Sequence, residues 1–143
     1  MIVIAEKEEL CLVEDKKEPI LITGAGALNV MTALRNIPRD TPIVNIGYAG
    51  SNTIPIGTKC HIGKVAVTHP NAKFQDKTYS LDGDTPCYSA ADFVTATDIE
   101  RPCVFDMELA YILALGFTNV TAEKVVSDNL SLREYEECLK KPL

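Results

Sequence analysis

A short apolar run that ends on a glycine loop constrains the fold of this chain more than any other feature. The run from Ile20 to Thr23 has the composition of a buried strand, and Gly24-Ala25-Gly26 follows it directly. From Ala27 onward apolar residues recur at helical spacing, and Pro38 ends this pattern. A strand, a tight turn and a helix in this order predict an α/β protein.

A second strand with a similar ending strengthens this prediction. Pro42 to Ile46 is apolar and runs into the small residues Gly47 to Ser51, for which the sequence predicts a loop. Ile2 to Ala5 indicates a further short buried strand. Because two strands end in glycine loops, we expect a binding site at the carboxyl edge of the sheet.

The remaining elements follow along the middle and the C-terminal third of the chain. Strand-like runs, expected to add to the sheet in antiparallel or mixed pairing, are Cys60–Val67, Lys73–Leu81 and Tyr88–Thr95, broken by His69-Pro70-Asn71 and by Asp82–Pro86. Later patterns predict a helix from Asp106 to Leu115 with Gly116 as its stop, a strand from Val120 to Val126, and a helix from Ser131 to about Lys140. The helix from Asp106 is apolar almost all round, so we expect it at the centre of the fold or in a subunit interface.

Length and composition predict one folded domain over residues 1–143. A chain of 143 residues lies near the commonest domain size, and 46% hydrophobic with 24% charged residues is close to the globular average. No low-complexity stretch indicates a linker. The expected architecture is therefore a single-domain mixed central sheet flanked by helices.

Charge and hydropathy exclude two classes of partner. The net charge is −6 and no basic stripe is present, which argues against nucleic-acid binding. No apolar run approaches the ~20 residues that span a bilayer, and the apolar start of the chain is too short for a signal peptide. We expect a cytoplasmic protein with no membrane partner.

Cofactor and metal motifs are also missing from the sequence. The five cysteines are widely spaced without metal-ligand spacing, so we expect reduced thiols and no metal site. The loop from Gly24 to Gly26 suggests a dinucleotide site, but Asn29 stands where the third glycine is required. No phosphate-binding GK[ST] loop occurs, and no cofactor is expected.

Three carboxylates sit where a site could form, and each has a structural alternative. For Asp106 the better interpretation is stabilisation of a helix start. Glu108 lies on an otherwise apolar helix, so a buried carboxylate there needs partners that ligand hydroxyls could supply. Asp128 either caps the helix that begins near Ser131 or belongs to a site, and its spacing leaves both possibilities open.

The order of several segments resembles the nucleoside phosphorylase superfamily, and most of all the methylthioadenosine/S-adenosylhomocysteine nucleosidases. The segments are Ile22–Gly26 with its helix, Asn45–Gly50, Asp92-Phe93-Val94, Asp106-Met107-Glu108 and Val126-Ser127-Asp128, and Ala5–Leu10 is similar to the acidic first loop of that family. Together they span most of the chain. The resemblance implies a small-molecule nucleoside as partner and a homodimer as the assembly.

The same resemblance assigns roles to individual residues. It implies that Asp128, helped by Ser127, is the general acid that protonates the departing base, and that Glu9 activates water. The implied substrate contacts are Glu108 and Met107 to the ribose, Phe93 and the Val94 backbone to the base, and Thr23, Gly24 and Gly26 around the nucleophile. These roles match the needs of a reaction through an oxocarbenium-like sugar.

Departures from the family keep three hypotheses open. The chain is short between Glu9 and Ile20, and Lys124 stands where the nucleosidases carry an arginine. The first loop and the loop from Gly47 to Gly50 contain no arginine, which argues for water rather than phosphate as nucleophile. The leading hypothesis is a purine nucleoside N-glycosidase, and the alternatives are a non-catalytic nucleoside-binding relative and a phosphorylase.

Overall fold

The computed structural model describes residues 1–68 and 77–141 of the chain. The predicted break at His69-Pro70-Asn71 and the start of the run Lys73–Leu81 lie outside these ranges. Eight strands are described: β1 Ile2–Ile4, β2 Ile20–Ile22, β3 Ile43–Gly50, β4 Lys59–Val67, β5 Tyr79–Ser80, β6 Thr85–Ser89, β7 Val104–Asp106 and β8 Val120–Asp128. The helices are α1 Ala27–Leu34, α2 Leu109–Ala114, α3 Leu132–Lys140 and a 3₁₀ helix over Lys7–Leu12.

The strands form one mixed sheet that closes on itself. β3 runs parallel to β8, β8 antiparallel to β4, and β4 parallel to β6. β6 then runs parallel to β7, which returns to β3 through the antiparallel pair Gly50–Phe105. β1 and β2 extend the sheet in parallel from the first half of β3. The predicted α/β fold with a mixed central sheet and flanking helices is confirmed.

Helix α2 is covered by its own chain. Leu109, Ala110 and Ile112 are fully buried, and the helix ends where Gly116 takes a positive φ of 98°. The expected central position of this helix is therefore correct, and its apolar surface does not by itself require a second subunit. Nowhere in residues 1–68 and 77–141 is a helix both long and apolar enough to cross a membrane.

Two boundaries differ from the sequence prediction because strand pairing overrides local composition. The small residues from Gly47 to Gly50 continue β3 rather than form a loop, since they pair with β8 up to its end. Asp106 belongs to β7 rather than to the following helix. Its carbonyl accepts a ladder hydrogen bond from Ala90 at 2.9 Å, which fixes an extended backbone at this position.

The strand predicted over Tyr88–Thr95 lies further towards the N-terminus. β6 covers Thr85–Ser89, because these residues pair with β4 on one side and β7 on the other. Residues 90–95 have no regular secondary structure, so Phe93 does not lie on a strand. Phe93 is instead held in an irregular segment that passes over the ends of neighbouring strands.

Candidate active site

A cavity of about 230 Å³ lies at the ends of β3, β7 and β8. The 3₁₀ helix, the segment around Phe93 and helix α3 form its other walls. Seven residues assigned to the site from the sequence line this cavity: Glu9, Phe93, Val94, Met107, Glu108, Ser127 and Asp128. Thr23, Gly24 and Gly26 do not line it, although their neighbour Ala25 does.

Asp128 lies at the end of β8 and is 1% exposed. Its Oδ1 accepts a hydrogen bond from the Ser127 hydroxyl at 2.6 Å, and its Oδ2 accepts one from the Leu130 N–H at 3.0 Å. Burial raises the pKa of Asp128, and the hydrogen bonds from Ser127 and Leu130 oppose that rise. A carboxyl with a raised pKa inside a cavity can hold a proton and deliver it to a ligand.

The alternative interpretation of Asp128 as a helix cap is not supported. Ser131 is the N-cap of α3, and its hydroxyl accepts a hydrogen bond from the Glu134 N–H at 3.3 Å. Asp128 instead binds the turn before the helix. In that turn Leu130 adopts a left-handed backbone with φ of 64°, which is costly for a leucine and aims its N–H at Asp128.

Glu9 approaches the cavity from the 3₁₀ helix and is 5% exposed. Its Oε1 accepts hydrogen bonds from the N–H groups of Ala5 and Glu6, and its Oε2 accepts one from the Tyr48 N–H at 2.6 Å. The bond to Glu6 completes a capping box, so Glu9 also stabilises the helix that carries it. A carboxylate has about four acceptor positions, which leaves one on Oε2 for a ligand or water.

Two glycines of β3 allow these carboxylates to lie against the strand. A Cβ on Gly47 would lie 2.4 Å from the Glu9 Oε2, and a Cβ on Gly50 would lie 2.8 Å from the Asp128 Oδ2. Both distances are shorter than side chains tolerate. The small residues that the sequence suggested as a loop therefore serve the site by leaving room for Glu9 and Asp128.

Glu108 lines the same cavity from the start of α2 and is 8% exposed. Its Oε2 accepts a hydrogen bond from the Gly26 N–H at 2.8 Å. Burial and the neighbouring Asp106 raise the pKa of Glu108 to about 7. Gly26 thus contacts the site through Glu108, while the Thr23 hydroxyl donates to the Gly24 carbonyl at 2.8 Å.

An ion pair that the sequence did not predict lies beneath the cavity. The Lys124 Nζ is 3.1 Å from the Asp106 Oδ2, and both side chains are excluded from solvent. Asp106 also accepts hydrogen bonds from the Ser89 hydroxyl and from the Leu109 N–H. Asp106 therefore stabilises the helix start, as expected, through its hydrogen bond from Leu109, and it makes other contacts as well.

Aromatic side chains form the remaining wall. Phe93 packs against Tyr135 of α3, with ring centroids 5.5 Å apart. Tyr48 also lines the cavity. Sequence reasoning missed both tyrosines, although Tyr135 is the one aromatic residue of the amphipathic helix α3. A flat apolar ligand group fits beside such a pair.

The cavity offers acidic rather than metal-binding chemistry. Within the described part of the chain, no group of three His, Cys, Asp or Glu residues has an arrangement that could hold a metal ion. Six residues of the cavity wall are carboxylic acids: Glu6, Glu9, Asp92, Asp106, Glu108 and Asp128. None of the described wall residues is Lys, Arg or His.

Comparison with known proteins gives similarity in structure but not in sequence. No protein-family model matches the chain, and no curated protein matches its sequence. The fold is similar to that of the 5′-methylthioadenosine/S-adenosylhomocysteine nucleosidase from S. pneumoniae, solved with the transition-state inhibitor MT-ImmA. That alignment has a TM-score of 0.77 at 15% identity and covers 96% of this chain and 90% of the other.

Two further structures give the same result. The nucleosidase from Neisseria meningitidis, in complex with methylthio-immucillin-A, aligns with a TM-score of 0.76 at 15% identity over 97% of this chain and 90% of the other. The MTAN from Chlamydia trachomatis, bound to MTA, aligns with a TM-score of 0.73 at 16% identity over 96% and 87%. The chain therefore has the nucleoside phosphorylase-like fold of the methylthioadenosine/S-adenosylhomocysteine nucleosidases, as the ordered sequence segments predict.

Proposed function

We propose that this chain is a purine nucleoside N-glycosidase, an enzyme that hydrolyses an adenosine-type nucleoside to free base and sugar. The observation that carries the proposal is the meeting of Glu9, Glu108 and Asp128 around one small cavity with an aromatic wall. Each carboxyl has a different set of donors, so the three can serve different steps. The nucleosidases with a similar fold were solved with MTA or adenine-like ligands, which supports the same substrate class here.

Asp128 is the general acid of this proposal. Its raised pKa favours a protonated carboxyl, and the Ser127 hydroxyl orients that carboxyl towards the base. Protonating a purine ring nitrogen as the glycosidic bond breaks turns the base into a neutral leaving group. Phe93 and Tyr135 would hold the flat base, and the backbone of Val94 would contact its edge.

Glu108 and Glu9 act on the sugar and the nucleophile. Glu108 binds the ribose hydroxyls and stabilises positive charge on the sugar, with Met107 packed against the ring. Glu9 takes a proton from water through the acceptor position that its backbone contacts leave open on Oε2. Three backbone N–H groups hold Glu9 in place for this step.

Water fits this cavity better than phosphate. A dianion needs paired cationic donors to leave bulk solvent. The described wall carries six carboxylic acids and no basic side chain, and Lys124 beneath it is already paired with Asp106. These charges argue against phosphorolysis. The second candidate function is nucleoside binding without turnover, which would require the cavity but not Glu9 as a base.

Two edge positions support self-association into a homodimer. Leu28 of α1 is 81% exposed and Ile22 of β2 is 46% exposed, so both leave apolar side chains open to a partner. The two residues flank the loop that leads to Gly26 and hence to Glu108. We propose that a second copy of the chain covers this surface.

Release of free base tests the function directly. Purified protein is incubated with adenosine, inosine and methylthioadenosine, each with and without phosphate, and the bases are separated by chromatography. Adenine release that is independent of phosphate supports hydrolysis, and release that requires phosphate supports a phosphorylase. Nucleoside binding in calorimetry without release of base would leave the binding module as the function.

A further inference from the structure

A buried lysine lies beneath the cavity, where a charge is costly. Lys124 is 1% exposed, and β8 presents it on the same face as the buried residues Ala122 and Val126. Its Nζ is 3.1 Å from the Asp106 Oδ2. A buried ammonium persists only with a paired anion, so Asp106 is the first partner of Lys124.

Asp106 is fully engaged by other groups as well. Its Oδ1 accepts hydrogen bonds from the Ser89 hydroxyl and the Cys87 thiol, and its Oδ2 accepts one from the Leu109 N–H. Burial acts to raise the pKa of Asp106, but the Lys124 ammonium and these hydrogen bonds bring it below its ordinary value. Asp106 therefore stays ionised.

Two more carboxyls face the same cation. A Cβ placed on Gly47 would be 2.4 Å from the Glu9 Oε2 and 3.5 Å from the Lys124 Nζ, so these groups approach one point of β3. Glu108 also lies within electrostatic reach of Lys124. One cation against three carboxyls leaves an excess of negative charge, and a buried excess is relieved when one carboxyl binds a proton.

The backbone donors decide which carboxyl binds that proton. Burial raises the pKa of both Glu9 and Glu108. Three backbone hydrogen bonds oppose that rise at Glu9, whereas Glu108 accepts one such bond, from Gly26, and stands beside ionised Asp106. We propose that Lys124 is a positioning residue whose ion pair with Asp106 leaves Glu9 ionised and puts the exchangeable proton of this cluster on Glu108. Lys124 would then keep Glu9 a base without contacting the nucleophile.

The other titratable groups near Glu108 do not compete for this proton. Tyr135 approaches from α3 and Cys87 from β6, and burial raises the pKa of both, so they are neutral at physiological pH. Glu108 therefore titrates against Asp106, Glu9 and Lys124. The consequence for catalysis rests on the proposed function. Ionised Glu108 would stabilise a cationic sugar better than protonated Glu108 would. The hydrolysis rate would therefore rise as the pH rises through about 7.

Carbon-13 NMR of protein labelled at the glutamate side-chain carboxyls tests the assignment without any ligand. The Glu108 signal is the one lost in Glu108→Gln, and we expect its midpoint near pH 7. Asp106→Asn removes a repelling charge and should lower this midpoint. Lys124→Met removes an attracting charge and should raise it, and a neighbouring charge moves a pKa by about one unit or more. The exposed control Lys59→Met should leave it unchanged.

The opposite signs of the two shifts separate this role from a structural one. A pair that only stabilises the fold would move the midpoint in neither variant, or would move it the same way in both. Either result, or a wild-type Glu108 midpoint near 4.5, would overturn the proposal. If Lys124→Met does not fold, two other variants test the proposal. The Glu108 midpoint should fall in Asp106→Asn and stay unchanged in Lys124→Arg, and any other pair of results would overturn the proposal. A protein that titrates as expected but releases no base would refute the enzyme and keep this assignment.

Discussion

The substitution Asp128→Asn removes a proton from the site with little change in shape. In the wild type the Ser127 hydroxyl donates to Oδ1 and the Leu130 N–H donates to Oδ2. An asparagine can accept from Leu130 with its carbonyl oxygen and donate its amide N–H to the Ser127 oxygen. The Ser127 hydroxyl can then turn to the Ala49 carbonyl, which lies 3.4 Å away. Both contacts survive, so we expect a change in unfolding free energy within about 1 kcal/mol.

Catalysis should respond far more strongly than stability. General acid catalysis contributes roughly 10²–10⁴-fold, so Asp128→Asn should raise the barrier by about 3–5 kcal/mol. Nucleoside affinity should change little, because the cavity keeps its shape. The wild-type kcat/KM should fall as pH rises through the pKa of Asp128, because the acid must be protonated to act, and this limb should vanish in the variant.

Release of adenine, calorimetric affinity and thermal unfolding are measured on the same preparations. Asp40→Asn is the matched control, since Asp40 is exposed and lies outside the cavity wall. Turnover in Asp128→Asn within about threefold of wild type, with unchanged stability, would refute the general acid and leave this carboxyl a structural group of the turn.

Four further outcomes follow from single contacts. Glu9→Gln should abolish base release but retain nucleoside binding, at a stability loss of about 1–3 kcal/mol because the amide cannot accept from both sides. The control Glu8→Gln, at a half-buried position outside the cavity wall, should change neither base release nor stability. Gly47→Ala should reduce hydrolysis severely, because its Cβ would meet Glu9 at 2.4 Å, and calorimetry should still detect binding. Glu108 has its pKa raised from 4.5 to about 7, so its contribution to stability is present below the lower value and lost as pH rises through the higher one. Glu108→Gln should therefore be about 3 kcal/mol more stable than wild type near pH 8 and equal to it near pH 4, as measured by urea unfolding. Wild-type protein should scatter light as a dimer of 15.6 kDa chains, and Leu28→Lys as a monomer.

The alternation of strands and helices was predictable because it depends on local periodicity. The ends of the strands were not predictable, because they depend on pairing partners that are distant in the chain. The segment from Gly47 to Gly50 has the composition of a loop, yet it pairs with β8 as far as Asp128, with one register shift between Ala49 and Gly50. Asp106 is a residue type typical of a helix start, yet its backbone pairs with β6. Both errors come from contacts that no local pattern contains.

Lys124 shows a different limit of sequence reasoning. A lysine is almost always exposed, yet Lys124 lies on the buried face of its strand. The alternation of apolar residues along β8 predicts this burial, since Val120, Ala122 and Val126 lie on the same inward face of the strand as Lys124. The partner of Lys124 could not be read in the same way, because Asp106 lies on a strand that pairs with β3 and β6 rather than with β8.

The cluster of carboxyls favours the proposed enzyme over a binding module on energetic grounds. Burial raises the pKa of Glu9, Glu108 and Asp128, so the fold holds all three at some expense of stability near neutral pH. Leu130 adds a strained backbone to orient Asp128. Binding a neutral nucleoside needs hydrogen-bond acceptors, which amides and hydroxyls would provide without this penalty. Transferring protons to a base and from water needs carboxyls whose pKa lies nearer to neutrality, so the three buried carboxyls fit the proposed hydrolysis better than binding alone.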